Sequence, residues 1–387
     1  MLRPIHSFQK KLKHLTIQYL IFILLTSSFY TKAQYLDIDT TKINKTLLSL
    51  HKKNDFSGTV IIKQKDKILY QNHFGYSDIK NKTPFNYNTK FQIASLSKQF
   101  TSFGILILEQ ENLLTTNDFV SKHIPDFPFP TIQIKHLMSH TSGLPNFVKT
   151  MWKDLDTTKV NGNAIMLSML KSNKYPLQWE PGTKFEYSDI GYCLLAIIIE
   201  NVSGVDFKTF MKQKLFTPSG MYNTNAEFVT DTRSLNYKEL AKGYELNKTS
   251  NQLLIANQLP SNNYVYWLGG FYGDGSVIST AKDLLKWDKA LYQNTVISKK
   301  SLQKAMTPFT LNNGLLSKAW GTNYGLGWFL YKSPVFGIIQ THSGEQPGYR
   351  SRLVRAPEKQ LTIVILSNIS NPNFNQINIL KILEEQL

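Results

Sequence analysis

Phe91-Gln-Ile-Ala-Ser95-Leu-Ser-Lys98-Gln-Phe-Thr-Ser-Phe-Gly-Ile-Leu-Ile-Leu108 is the stretch on which the fold turns. It opens extended, Phe91 to Ala94, and then takes helical periodicity. Leu96, Phe100, Phe103 and Ile107 recur at steps of four, three and four, which sets them on one buried stripe. Ile105, Leu106 and Leu108 lie off that stripe and make the helix apolar on most sides, as a core helix is. Ser95 falls in its first turn. Lys98 stands three residues on, on the same face and about 4.5 Å further along the axis. A serine hydroxyl needs a neighbour to take its proton before it attacks. A lysine amine does so only when neutral, and burial favours the neutral form. The helix N-terminus adds free N–H groups and positive dipole where an oxyanion would form. A capping serine followed by a surface lysine would give the same letters, so the pair gains meaning from motifs elsewhere.

The chain of 387 residues is 42% hydrophobic and 18% charged, an ordinary globular composition for one large domain or two. Arg3, Lys10, Lys11 and Lys13 precede a short apolar run, Leu15 to Leu25, and small or polar residues continue to Ala33. This pattern predicts a cleavable signal peptide over 1–33 and a periplasmic or secreted protein, with an uncleaved membrane anchor as the alternative. The net charge is +17; residues 1–33 hold five bases and no acids, so the remainder carries 17 − 5 = +12. Weak attraction to an anionic envelope surface is expected. No dense basic block interleaved with aromatics argues for nucleic acid. Cys193 is the single cysteine, so no internal disulfide forms, and its place in Gly191-Tyr-Cys-Leu-Leu-Ala-Ile-Ile-Ile-Glu200 marks it as core filler.

Leu36 to Lys53 has helical spacing. Phe56 to Lys63 and Lys67 to Tyr76 flank Gln64-Lys65-Asp66 as a hairpin. Residues 96–300 read mostly as helix and loop. Tyr324 to Tyr331, Gly337 to Thr341, Tyr349 to Arg355 and Leu361 to Ser367 read as strands, and Asn375 to Leu387 as a last helix. Strands at both ends and helices between them imply an α+β fold. Its antiparallel sheet is built from N- and C-terminal segments and flanked by helices, with a helical subdomain inserted. The expected division is an α/β part over about 34–95 and 270–387 and a helical part over about 96–269.

His136-Leu-Met-Ser-His140 has the spacing of two zinc ligands, but the glutamate of H-E-x-x-H is missing and Thr141-Ser-Gly143 ends any helix. A structural turn is the preferred reading. No complete G-x-S-x-G, phosphate loop or dinucleotide fingerprint occurs. Pro181-Gly182 turns the chain ahead of Tyr187-Ser188-Asp189, just before the apolar helix. A phenol beside a lysine ammonium would have its pKa drawn below about 10 and could act as general base. In Thr341-His342-Ser343-Gly344-Glu345, the small residue and glycine let a substrate backbone approach a strand closely.

These pieces, in this order, resemble the serine β-lactamase and penicillin-binding-protein superfamily, most closely its class C β-lactamase, DD-peptidase and esterase branch. Ser95-Leu-Ser-Lys98 is similar to S-x-x-K, Tyr187-Ser-Asp189 to Y-x-N, and His342-Ser-Gly344 to K-T-G or H-x-G. The likeness extends over about residues 55–370 and includes His140-Thr-Ser-Gly-Leu-Pro145, Gly270 to Trp287, Tyr324 to Trp328, Pro347-Gly348 and Leu366-Ser-Asn368.

The resemblance implies a β-lactamase/transpeptidase-like fold and two-step acyl transfer. Ser95 would be the nucleophile, with Lys98 and Tyr187 moving protons. Backbone N–H groups of Ser95 and Glu345 would form the oxyanion hole, and His342, Ser343 and Gly344 would orient a small-molecule or peptidoglycan-type substrate. No metal or cofactor is needed, and a monomer is expected. Two departures matter. Asp189 stands where the family has asparagine, and a carboxylate would hold Lys98 protonated more firmly. His342 stands where lysine is usual, so a β-lactam carboxylate would be recognised less well, and a transition between about pH 5.5 and 7.5 is expected from it. Esters, D-amino-acid peptides and amides, and β-lactams all suit this chemistry. Arg350 and Arg352, on one strand face, could hold an acidic substrate or be solvated, and Tyr264, Tyr266 and Trp267 could line the cleft or pack the core. A non-catalytic envelope binding or sensor protein that keeps the fold is the alternative of another class, favoured by Asp189 and opposed by intact Ser95, Lys98 and Tyr187.

Overall fold

The N- and C-terminal parts of the chain meet in one sheet. A computed structural model describes residues 35–227, 237, 239–247, 249–250, 252–370 and 377–386; the expected signal peptide lies outside the described residues. After helix α1 (Thr40–Lys52) come β1 (Gly58–Gln64) and β2 (Lys67–Phe74). The remaining strands of this sheet lie far along the chain: β3 (Lys318–Ala319), β4 (Thr322–Tyr324), β5 (Phe329–Ser333), β6 (Gly337–Gln346), β7 (Tyr349–Ala356) and β8 (Leu361–Ser367). Their spatial order is β3-β4-β5-β6-β7-β8-β1-β2, and every pairing is antiparallel. The two ends of the chain join at β1 and β8, with Gly58 opposite Ser367 and Gln64 opposite Leu361. The α+β sheet expected from both termini is therefore present.

Three helices set the positions of Lys98 and Asp189 against this sheet. Helix α2 (Lys98–Gln110) continues directly from a short 3₁₀ turn, Ala94–Ser97. Every residue of the predicted stripe is buried, because α2 is packed on all sides. Helix α3 (Asp189–Ser203) begins at Asp189, capped by the Ser188 hydroxyl, which accepts from the Gly191 N–H. Helix α4 (Ala281–Gln293) lies between α2 and the sheet. Trp287 packs on Phe100 with ring centroids 4.9 Å apart, and its indole N–H donates to Gln99 at 2.8 Å.

Tyr324 to Tyr331 is not one strand, as expected, but β4 and β5 separated by a turn. Gly327 takes φ +87°, and a Cβ there would lie 2.7 Å from the Ser102 hydroxyl of α2, so the chain leaves the ladder there to pass under α2. Strand β6 runs further than expected, through His342 and Glu345 to Gln346. Among the described residues no single helix is long and apolar enough to cross a membrane.

On the far side of α4, Arg355 is buried against the sheet. It donates through Nε to Asp288 at 2.5 Å and through Nη1 to Gln340 at 2.6 Å, while the Thr362 hydroxyl donates to the other Asp288 oxygen. Removing one member leaves an unpaired charge in the core. Asp288→Ala is expected to destabilise the fold by about 3–5 kcal/mol, measured by urea unfolding. The double change Asp288→Leu with Arg355→Met should cost much less than Asp288→Ala alone.

Candidate active site

Ser95, Lys98, Tyr187, Asp189 and the 342–345 segment converge on one cleft between β6 and the helices. The turn that carries Ser95 is held from both sides. The Ile93 N–H donates to the Val277 carbonyl at 3.0 Å, and the Ser351 hydroxyl donates to the Ile93 carbonyl at 2.6 Å. Ala94 is thereby kept at φ +47°, a left-handed conformation that a residue with a Cβ adopts at a cost of about 1–2 kcal/mol. Gly344 sits where a Cβ would lie 2.0 Å from the Ile93 carbonyl oxygen. Only glycine lets β6 pass this close to the serine turn.

Lys98 is completely buried. Its ammonium donates to Ser95 Oγ at 3.2 Å, to Asp189 Oδ1 at 2.7 Å and to the Asp274 carbonyl at 2.8 Å. It also lies 4.9 Å from the centre of the Tyr187 ring. Burial works against the charge on Lys98, but the charges of Asp189 and Asp274 and the hydrogen bond to Asp189 outweigh it and hold the group well above the ordinary lysine range. Lys98 is thus an ammonium, not the neutral amine that burial alone predicts. Tyr187 also departs from expectation. Its burial raises the phenol above its usual value despite the opposing field of Lys98. It rests as a neutral hydroxyl.

His342 is buried, and burial followed by the Lys98 charge pushes its pKa down to about 3. The transition expected near pH 6 therefore does not belong to it. The cleft leaves Ser343 and Glu345 exposed, and Glu345 pairs with Arg350 at 2.5 Å. Arg352 is part of the wall of a cavity of about 640 Å³ that also includes Ser95, Tyr187, Trp320 and His342. Its Nε donates to Thr341 at 3.3 Å. Tyr264 lines a second cavity, whereas Trp267 is core, packed on Trp152.

Behind the cleft runs a hydrogen-bond chain whose direction is fixed. The Ser188 N–H donates to His140 Nδ1 at 3.1 Å, so the neutral His140 carries its proton on Nε2. That nitrogen donates to the Tyr324 hydroxyl at 3.2 Å, and Tyr324 in turn donates to His342 Nε2 at 3.2 Å. His342 Nδ1–H then donates to the Ser343 carbonyl at 2.7 Å. His140 also stacks on Tyr187, ring centroids 4.2 Å apart. It is held neutral by burial and by the neighbouring Lys98 charge. His136 takes a different role, accepting from the Gln133 N–H as a helix cap. Sequence reading missed Tyr324, His140 as a partner of Ser188, and Asp274. The glycines of Gly273-Asp-Gly275 were the available signal for the last.

A family model described as Beta-lactamase matches residues 49–386. Penicillin-binding protein 4* of Bacillus subtilis (strain 168) is 37% identical over 342 residues, 88% of this chain and 74% of that protein. Among solved structures, a penicillin binding protein from Bacillus halodurans superposes with a TM-score of 0.74 at 24% identity, covering 88% of this chain and 99% of that one. The D-amino acid amidase from Ochrobactrum anthropi SV3 superposes with a TM-score of 0.70 at 20% identity, covering 89% and 98%. These two likenesses speak for the fold.

Because His342 stays neutral far below pH 5, the pH profile of kcat/KM between 5 and 8 should keep its shape in His342→Gln. A limb near pH 6 that vanishes in this variant would contradict the burial argument. Tyr324→Phe removes the hydroxyl between two imidazoles and should cost about 1–3 kcal/mol of stability, read by thermal unfolding.

Proposed function

The chain belongs to the beta-lactamase family and is a serine hydrolase of that family's kind, and within it we propose that Ser95 is acylated by an ester, an amide or a D-amino-acid peptide. The observation that carries this reading is the contact of Ser95 Oγ with Lys98 Nζ at 3.2 Å, with the Tyr187 ring 4.9 Å from that ammonium and in the same cavity wall as Ser95. At neutral pH the group in this series that can accept a proton is the Asp189 carboxylate, 2.7 Å from Lys98. In this reading Lys98 passes a proton to Asp189 while taking the one from Ser95, and Oγ bonds to the substrate carbonyl. The backbone N–H groups of Ser95 and Glu345 receive the oxyanion. One such donor typically contributes about 3–4 kcal/mol in the transition state. Tyr187 gives its proton to the leaving group and recovers one through Lys98. Water then attacks the acyl-enzyme.

Ser343 and the edge of β6 orient the substrate, and Arg352 in the larger cavity suits a negatively charged portion of it. The neutral His342 lacks the ammonium that would grip a β-lactam carboxylate, which favours esters and amides over β-lactams. The likeness to a D-amino acid amidase supports an amide among the substrates. We read the protein as exported to the periplasm or beyond, on the basic and apolar segments within residues 1–33.

Wild-type protein should gain one adduct on Ser95 from a fluorophosphonate, seen by intact mass. Ser95→Ala should show neither adduct nor turnover at an unchanged melting temperature. Asp189→Asn tests the proton path. Without the carboxylate, Lys98 must itself be neutral before attack, so the acid limb of kcat/KM should rise by at least one pH unit. A variant more active than wild type at pH 6 would mean that Asp189 only restrains Lys98.

A further inference from the structure

Ser95 lines the larger of two cavities. Beyond the larger one lies a chamber of about 340 Å³ on the α3 side of the nucleophile. Its walls are aromatic: Phe147, Trp152, Tyr264 and Phe271. Asp189 and Asp274 also line it, together with Gly275, whose missing Cβ would be 3.7 Å from the Ala94 carbonyl carbon. The chamber thus abuts the turn that carries Ser95. At about 30 Å³ per water molecule it has room for one aminoacyl group.

Its charge is not balanced. The Lys98 ammonium lies inaccessible beneath it and neutralises one carboxylate, which leaves a formal −1 from Asp189 and Asp274. The Asp189 side chain is 46% exposed, with only Oδ1 engaged by Lys98. Among the described residues no ion pair holds the Asp274 carboxylate, whose neighbour is the Cys193 thiol. Burial raises Tyr264, and the charges of Glu245 and Glu345 raise it further, so the field at the wall is negative as well. A second, independent feature points the same way. Aromatic faces carry negative quadrupoles and attract ammonium groups within about 6 Å of their centres. Carboxylates and aromatic faces around an otherwise apolar space form a receptor for an organic cation, whereas an N-acylated or anionic group would be repelled or left unpaired there.

We propose that this chamber takes the acyl half of the substrate, and that this acyl group is aminoacyl with a free, positively charged amine. The inference rests on the reading of Ser95 as the acylated nucleophile. In the step itself the bond from the acyl carbon to the leaving oxygen or nitrogen breaks, the bond to Ser95 Oγ forms, and the serine proton ends on the leaving group. The ammonium takes no part in bond making. It is held by Asp274 and the aromatic faces, which leaves Asp189 free to take the Lys98 proton, and it sets the acyl carbon over Ser95.

The test uses full-length protein and p-nitroanilides of D- and L-alanine, each as free amine and as N-acetyl derivative. For the preferred enantiomer the free amine should give at least tenfold higher kcat/KM at pH 7, and Asp274→Asn should reduce that ratio severalfold. Should Asp274→Asn not fold, a substrate pair replaces it: the p-nitrophenyl esters of trimethylammonioacetate and of 3,3-dimethylbutanoate, equal in shape and different in charge. Normalised to spontaneous hydrolysis, the cationic ester should again lead by tenfold or more. Equal rates, or preference for the acetylated or uncharged member, in protein that takes the fluorophosphonate on Ser95 would overturn the chamber's assignment and leave the nucleophile standing. Protein that takes no adduct would remove both.

Discussion

An ammonium cut off from water has to find its acceptors inside the protein, and Lys98 finds three. Removing such an ion from water costs several kcal/mol unless partners replace the lost hydration. The replacements are Ser95 Oγ, Asp189 Oδ1 and the Asp274 carbonyl. They belong to three separate parts of the chain, so the start of α2, the start of α3 and the 273–276 loop must arrive together. Helix α2 helps to secure this. The Thr101 hydroxyl donates to the Gly273 carbonyl at 2.6 Å, and Ser97 Oγ accepts from the Val277 N–H at 3.1 Å. The loop is thus pinned on either side of Asp274 by the helix that carries the lysine. Asp189 is placed favourably as well, because a carboxylate in a first helical turn is stabilised by the N–H groups there.

The same charge governs the opposite wall. His140 and His342 are both buried and both feel Lys98, and each effect favours the neutral imidazole. A neutral imidazole has one donor and one acceptor, so its partners must alternate. Tyr324, which can donate once and accept, is the group that lets two such rings face one another. The result is a directed chain from the backbone of Ser188 to that of Ser343. The loop bearing Tyr187 and the strand bearing His342 are joined behind the cleft by His140 and Tyr324, which are not part of the cavity wall that holds Ser95.

What could be read from the sequence was what shows in pattern. The periodicity of Leu96, Phe100, Phe103 and Ile107 identified α2 because burial on one stripe leaves that spacing. Pro181-Gly182 ahead of an apolar run marked the approach to Tyr187 and Asp189. Asp274 left no such trace, since it serves Lys98 through a backbone carbonyl that any residue possesses. Tyr324 was hidden within a strand pattern, and His140 within a turn. The titration of Tyr187 was misjudged for a related reason. The sequence suggests a nearby lysine, but how deeply the phenol is buried, and hence whether desolvation outweighs attraction, is a property of the packed structure. The effect of Asp189 on Lys98 was legible because charge opposes charge whatever the packing.

That carboxylate changes what the buried lysine can do. With an amide at position 189, burial would act on Lys98 with less charge to oppose it, and the amine would tend to rest neutral. With Asp189, the two groups share one proton in a unit whose net charge is zero wherever that proton lies. The charge-separated form prevails while water reaches the 46% of the Asp189 side chain that is exposed. An apolar portion of a substrate covering that surface removes water from the ion pair and raises its energy relative to neutral amine and carboxylic acid. On the proposed proton path, Lys98 thus becomes basic as the cleft fills, and the serine is activated in the presence of something to attack.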